Sequence, residues 1–527
     1  LNKDWYDIPM NQETDEIFRV KIALHDVGRF EAKTYWQDID QVMYWPEGSN
    51  TIIKVEPAHT CTYNTMYTAF VRLFGSAKSN DSIKPSHQNS IETLDAANYT
   101  VIPQSGTFRD LINQLDFIIG ELRCRIIQLL PIHPTPTTYA RMGRFGSPFA
   151  ALDLLDIDPA LTNFDKKTTP LDQFQELVDA IHYRDGLMFM DMPINHTGWA
   201  SHLQNHHPDW FDRSEKNNTF KSPGAWGVLW EDLSKLDYSN TQLWIYMANV
   251  FLFWCKRGVD GFRCDAGYKI PFKAWNYITA KVRLEYPNTV FMLEGLGGDP
   301  VVTEDLLANG GMNWAYSEIF QNYDRKSIES YLPNSLKIST TKGNLIHFSE
   351  THDNERLANI SHEFARLRTA FCALSSINGT VGFANGVEWF ASKQIKVHSA
   401  YSLNWGSKEN QVEWLKRIHV IMEIHPSFHM GSTVKLITKG LGNYLFILRE
   451  SNNKKHKLLI LINFDLENDY SVSHEYESFT TNLLGERNYN GSLKSAEIQC
   501  LSDDATWKKK IDKKLGQKFT ESEIIKT

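Results

Sequence analysis

Four short stretches place polar, ionisable side chains directly after apolar runs: Asp191-Met-Pro-Ile-Asn195-His196, Gly261-Phe-Arg263-Cys-Asp265, Phe291-Met-Leu-Glu294-Gly, and Glu350-Thr-His352-Asp353. Arg263 and Asp265 are two apart, so on a strand both point to one face. A guanidinium beside Asp265 favours the ionised carboxylate, the form a nucleophile needs. Glu294 suits the opposite task. As a proton donor it needs a raised pKa, which a third carboxylate, Asp353, would supply by like-charge repulsion. Two carboxyl groups roughly 5–5.5 Å apart across a glycosidic bond define the retaining mechanism of glycoside cleavage. Neighbouring parallel strands, about 4.8 Å apart, bring that separation within reach. Taken singly, each motif has a plainer meaning. Arg-X-Asp on a strand is more often a buried ion pair, and Asn195-His196 alone reads as turn chemistry. Their joint appearance, in order, at the ends of successive apolar runs outweighs those separate meanings.

The elements that must hold these residues alternate. Apolar runs begin near Tyr99, Cys124, Gly186, Gly258, Asn288, Met312, Leu345 and Gly379, with amphipathic stretches between or after them. Among these are residues 107–122, 170–185, 241–258, 362–377 and 411–426. Parallel strands require crossover helices, so the alternation predicts a parallel sheet. Eight units close a (β/α)8 TIM barrel, whose active sites lie at the C-terminal strand ends. An open doubly wound sheet is the rival, but no Gly-rich phosphate loop follows the first expected strand. Residues 1–95, with alternating Phe18–Trp36 and Thr51–Pro57, read as an N-terminal β-sandwich ending in a polar linker, Ser76–Ser90. The catalytic barrel is expected over 96–427, with an insertion at about 197–238 whose length marks it as functional. Residues 428–527 return to β patterning and read as a C-terminal β-sandwich with a charged terminal helix or tail.

DMPINH, GFRCDA, FMLEG and FSETHD resemble, in order and spacing, the four signature segments of the α-amylase superfamily, glycoside hydrolase family 13. Residues 98–425 carry the likeness, including HPDWF and LDYSN in the insertion and Gly146–Pro159 after the second strand. The resemblance implies a retaining enzyme on α-linked glucose. Asp265 matches the nucleophile, Glu294 the acid/base and Asp353 the transition-state stabiliser. Arg263 matches the arginine that orients the nucleophile, Asp191 the aspartate that supports the site, and His196 and His352 the histidines on the sugar at the cleavage point. Phe149 stands where many relatives have a tyrosine stacked on that sugar. Tyr268-Lys269 replaces a Lys-His pair on the leaving-group side. Asn195 aligns with a calcium ligand of many relatives, so calcium is a candidate cofactor, although Asp209, Asp212 and Asp232 lack calcium-loop spacing. The expected activity is α-amylase-type hydrolysis of α-1,4-glucans or maltooligosaccharides. The alternative is transfer by a 4-α-glucanotransferase or maltosyltransferase, and the remote one a non-catalytic glycan-binding barrel, against which all three carboxylates stand.

Composition sets the outer bounds. The chain has 527 residues and a formal net charge of −8, the wrong sign for a nucleic-acid partner. No apolar run reaches membrane-spanning length and the start shows no signal-peptide pattern. The six scattered cysteines, without CxxC spacing, read as free thiols of a reducing, cytoplasmic setting.

Overall fold

The computed structural model describes residues 5–79, 85–472 and 475–517, without the side chains of 85–88. Eight parallel strands close a barrel in chain order: β1 (Asn64–Ala69), β2 (Ile126–Leu129), β3 (Leu187–Met192), β4 (Gly261–Cys264), β5 (Val290–Leu293), β6 (Trp314–Tyr316), β7 (Asn344–Phe348) and β8 (Thr380–Ala384), which returns to β1. All eight are buried on both faces, apart from the half-buried Leu187, which is why they read as apolar runs rather than alternating ones. Met66, Ile126, Phe189, Val290, Met292, Trp314, Tyr316, Ile346 and Phe348 fill the lumen. Gly261 makes room for one of these rings, since a Cβ there would lie 2.5 Å from Phe189 Cζ.

The helices follow from their sequences. Pro170–His182 starts at Thr169, whose side chain and that of Asp172 form a reciprocal capping box ahead of Pro170, three signals that nucleate a helix at that point. Its buried Phe174, Leu177, Val178 and Ile181 recur at i, i+3, i+4 and i+7, the stripe that packs on the barrel. Residues 107–122, expected as one helix, divide into an α-helical Phe108–Ile112 and a π-helical Asp116–Glu121.

Two expectations about the N-terminal part are corrected. The barrel begins at Asn64, inside the span assigned to a sandwich, and the run at Tyr99 is irregular chain with Tyr99 67% exposed. NTMYTA looks too polar for a central strand, yet its side-chain donors all find acceptors, on neighbouring backbone or, for Tyr67 and Thr68, on the Glu388 and Gln128 side chains. Asn64 Nδ2 donates to the carbonyls of His59 and Thr62, and Thr65 Oγ1 to that of Arg123 at 2.7 Å. Residues 5–55 form three separate two-stranded ribbons (11–12 with 18–19, 28–32 with 51–55, 36–37 with 43–44) in place of a sandwich. None of the residues 5–50 is fully buried, and such ribbons are marginal unless tied down. Lys54 does the tying: its ammonium donates to the carbonyls of Leu307, Met312 and Lys342 on the barrel. Of the expected linker, 80–84 and the side chains of 85–88 lie outside the described residues, and a helix over Pro85–Ala96 takes up its end.

The C-terminal part is a five-stranded antiparallel sheet in the order 433–436, 444–450, 457–463, 498–502, 481–482. One face packs on barrel helices through Leu445, Ile447, Ile460 and Ile462. The other meets a small ribbon, 470–471 with 492–493, around Phe446, Leu461 and Phe479. Arg449 fixes the sheet to the barrel by donating to the carbonyls of Leu374, Ser376, Ile377 and Ser427. The charged end is a helix over Thr506–Leu515, held by buried Trp507 and Ile511; residues 518–527 of it lie outside the described residues. All six cysteines are unpaired. Among the described residues no helix is long and apolar enough to cross a membrane.

Candidate active site

Strand register assembles the site. β3 and β4 pair with Arg263 opposite Asp191, and β4 and β5 pair with Cys264 opposite Leu293, so the next residues of that pair, Asp265 and Glu294, emerge side by side. Arg263 Nη1 donates to Asp191 Oδ2 at 2.7 Å and to Asp265 Oδ1 at 2.9 Å. One guanidinium nitrogen thus holds two carboxylates and fixes the rotamer of the second. Burial pushes the Asp191 carboxyl above the ordinary range, against the pull of Arg263. Its Oδ1 is buried without a hydrogen-bond partner among the described residues.

Glu294 accepts the backbone N–H of Ala266 at 2.8 Å, which ties the proposed acid to the turn that follows the proposed nucleophile. Ala266 adopts φ +45°, an uncommon conformation for a residue with a Cβ and one often kept at functional turns. Burial raises the Glu294 carboxyl to about 7, with Asp265 adding to the rise while Arg263 and the Ala266 N–H oppose it. This corrects the sequence argument: Asp353 contributes to the rise, but as the smallest of these influences. Low dielectric, more than charge repulsion, favours the proton on Glu294.

Asp353 lies beyond β7 with its side chain 59% exposed, 3.3 Å from His352 Nε2. Its loop is closed from below by a buried pair that sequence reading missed, Arg356 Nη1 donating to Glu350 Oε2 at 3.2 Å, with Glu350 Oε1 also accepting the Leu357 N–H. An acidic and a basic residue six apart, flanking the His352-Asp353 pair, were the available signal. His352 stacks on Phe149, ring centroids 5.5 Å apart and 13° from parallel. His196 Nε2 stands 3.8 Å from Asp265 Oδ2. Burial lowers the pKa of both histidines, so they are neutral imidazoles suited to bonding hydroxyls. Phe149, His196, His352, Asp191, Arg263, Asp265 and Glu294 are therefore one cluster, with Asp353 at its rim.

Tyr268 and Lys269 flank it. Lys269 Nζ donates to the Gly224 carbonyl in the insertion and lies 5.0 Å from the Trp230 ring centre. Burial lowers its pKa while Glu294 and Asp265 pull it up. Trp230, also missed in the sequence, meets His196 edge-on. Around Asn195, the expected calcium ligand, few free carboxylates remain. Its amide faces His196 Nδ1, Asp212 is taken by Lys221 and Lys235, and no group of three His, Cys, Asp or Glu stands together among the described residues.

Residues 76–327 match the family described as alpha amylase, catalytic domain. An alpha-1,4-glucan:maltose-1-phosphate maltosyltransferase of Myxococcus xanthus is 22% identical over 381 residues, covering 68% of this chain and 56% of the relative. The protein of the same name from Rhodospirillum rubrum is 22% identical over 411 residues, covering 70% and 57%. The chain thus spans somewhat over half the length of these curated relatives. Among solved structures, an alpha-amylase from Lactobacillus plantarum superposes with a TM-score of 0.65 at 20% identity, covering 83% of this chain and 98% of that one. A maltogenic alpha-amylase from Thermotoga neapolitana gives 0.64 at 21%, with the same coverage.

Proposed function

The chain carries a catalytic domain of the alpha-amylase family, and from that premise we propose that it is a retaining enzyme of α-1,4-glucans that passes a glycosyl group from Asp265 to a sugar acceptor. The observation that carries the retaining reading is the shared guanidinium of Arg263, which presents an aligned Asp265 beside a buried, protonatable Glu294. In the first step an Asp265 oxygen attacks the anomeric carbon as the glycosidic C–O bond breaks. The Glu294 proton goes to the leaving oxygen, and a glycosyl ester forms on Asp265. Asp353, at the rim beside His352, holds hydroxyls of the sugar as the ring flattens. In the second step Glu294 takes the proton from the incoming hydroxyl, that oxygen attacks the anomeric carbon, and Asp265 is released as carboxylate.

Only the acceptor separates transfer from hydrolysis. The curated relatives are named maltosyltransferases, which favours a sugar hydroxyl and makes maltose 1-phosphate a donor to try beside maltooligosaccharides. Water is the second reading, favoured by the intact set of three carboxylates that α-amylase-type hydrolysis also needs. A time course on maltoheptaose and on maltose 1-phosphate plus maltoheptaose, with Asp265→Asn as control, tests both. Longer sugars at a constant number of reducing ends support transfer, and rising reducing ends support hydrolysis. No change relative to Asp265→Asn overturns the proposed substrate class.

A further inference from the structure

Asp353 sits in a turn that its own neighbours close. Thr351 Oγ1 donates to Asn354 Oδ1 at 2.6 Å and accepts the Asp353 N–H at 3.2 Å. The Asp353 carbonyl instead accepts from the loop that follows β8, where Gln394 Nε2 donates to it at 2.9 Å. A second bond joins the two loops in the opposite sense. Arg356, from the loop after β7, donates through Nε to the Lys393 carbonyl at 3.1 Å and through Nη2 to that of Asn385 at 2.8 Å. Residues 393–397 form a strap pinned along its length. Beyond Lys393, Ile395 packs into the large apolar core around the barrel, and the Val397 carbonyl accepts from buried Arg72 Nη1 at 2.6 Å. The root of the strap is set by Glu388, wholly buried, which accepts the Gly386 N–H at 2.9 Å and the Tyr67 hydroxyl at 2.7 Å. Gly386 has φ +95°, and a Cβ there would stand 3.1 Å from Arg356 Nη2, so glycine lets the guanidinium reach the Asn385 carbonyl. The Asp353 side chain is 59% exposed. Packing therefore does little to aim its carboxylate, and the backbone must.

We propose that Gln394 is a positioning residue for Asp353: its amide, carried on the strap pinned at Lys393, Ile395 and Val397, fixes the Asp353 peptide and through it the direction of the carboxylate. The inference rests on the reading above of Asp353 as the group that holds the flattening sugar ring, but not on whether water or sugar completes the reaction. Loss of the bond costs rate rather than ground-state binding, because the carboxylate is needed most as the ring flattens. A displacement of about 1 Å at a reacting centre can cost on the order of a hundredfold.

Gln394→Met keeps the side chain's bulk and removes its donor. Its kcat on maltoheptaose and on α-maltosyl fluoride is expected to fall together, on the order of tenfold, with KM within about twofold of wild type. A double-mutant cycle with Asp353→Asn, read on the fluoride because its activated leaving group keeps weak variants measurable, separates positioning from a merely structural role. A residue that acts through the Asp353 carboxylate adds nothing once that group is gone, so Gln394→Met should change the Asp353→Asn rate by less than about twofold. An unchanged kcat in Gln394→Met, a change confined to KM, or an equal fall in both backgrounds overturns the positioning role. Full activity of Asp353→Asn alone overturns the reading of Asp353 and the proposal with it, an outcome distinct from the others because Gln394 is intact in that variant.

Discussion

The buried proton of Glu294 makes a prediction whose size follows from its surroundings. Burial lifts this carboxyl from the usual 4.5 to about 7, a change of about 3 kcal/mol at 1.36 kcal/mol per pH unit. An acid of ordinary pKa would be protonated only about 0.3% of the time at pH 7, against about half for Glu294, so burial multiplies the competent fraction on the order of a hundredfold. The sign follows directly: the donor must hold its proton, so activity is present below pH 7 and is lost as pH rises through it. We expect kcat/KM on maltoheptaose to show an alkaline limb centred near 7. With α-maltosyl fluoride, which departs without protonation, glycosylation measured by fluoride burst loses that limb. Asp353, largely exposed, can move the limb only slightly. A limb near pH 5 on maltoheptaose, or the same limb for both donors, would refute the argument.

Other consequences are as specific. Glu294→Gln should lower turnover of maltoheptaose by about 10²–10⁴ while leaving the fluoride burst far less affected, read by stopped-flow. Arg263→Leu strands the Asp191 and Asp265 carboxylates that share its Nη1, and should cost about 3–5 kcal/mol in urea unfolding. Arg356→Met leaves Glu350 buried and unpaired, and should destabilise by a similar ~3–5 kcal/mol. Its kcat should also fall, because the loop carrying His352 and Asp353 loses its lower tie. Chelator dialysis is expected to leave both activity and melting temperature unchanged, because Asp212 is engaged by Lys221 and Lys235 rather than free to hold a cation.

The barrel from β2 onward and the candidate cluster at its rim were legible because each depends on local pattern. The runs holding Asp191, Arg263 and Glu294 are buried on both faces and end where polar side chains begin, so the sequence marks both strand and rim. β1 was hidden because Asn64, Thr65 and Thr68 are buried polar residues bonded to nearby groups, a solution that composition does not announce. The ribbons of residues 5–55 alternate like sandwich strands yet bury no core, since alternation reports a face and not what covers it. The insertion was recognised as functional by length alone. Placing Trp230 near His196 needed the pairing of 224–225 with 228–229, which no local signal fixes. The rank of causes behind the Glu294 proton was likewise invisible, because the exposure of Asp353 is a property of the folded loop.

The central claim is a covalent glycosyl ester on Asp265. Wild-type protein would be mixed with 5-fluoro-α-maltosyl fluoride, a donor that forms the ester readily and releases it slowly, and then examined by intact mass and peptide mapping. The peptide containing Asp265 is expected to gain one fluoromaltosyl group, a gain absent from Asp265→Asn. No adduct, or one on any other residue, would contradict it.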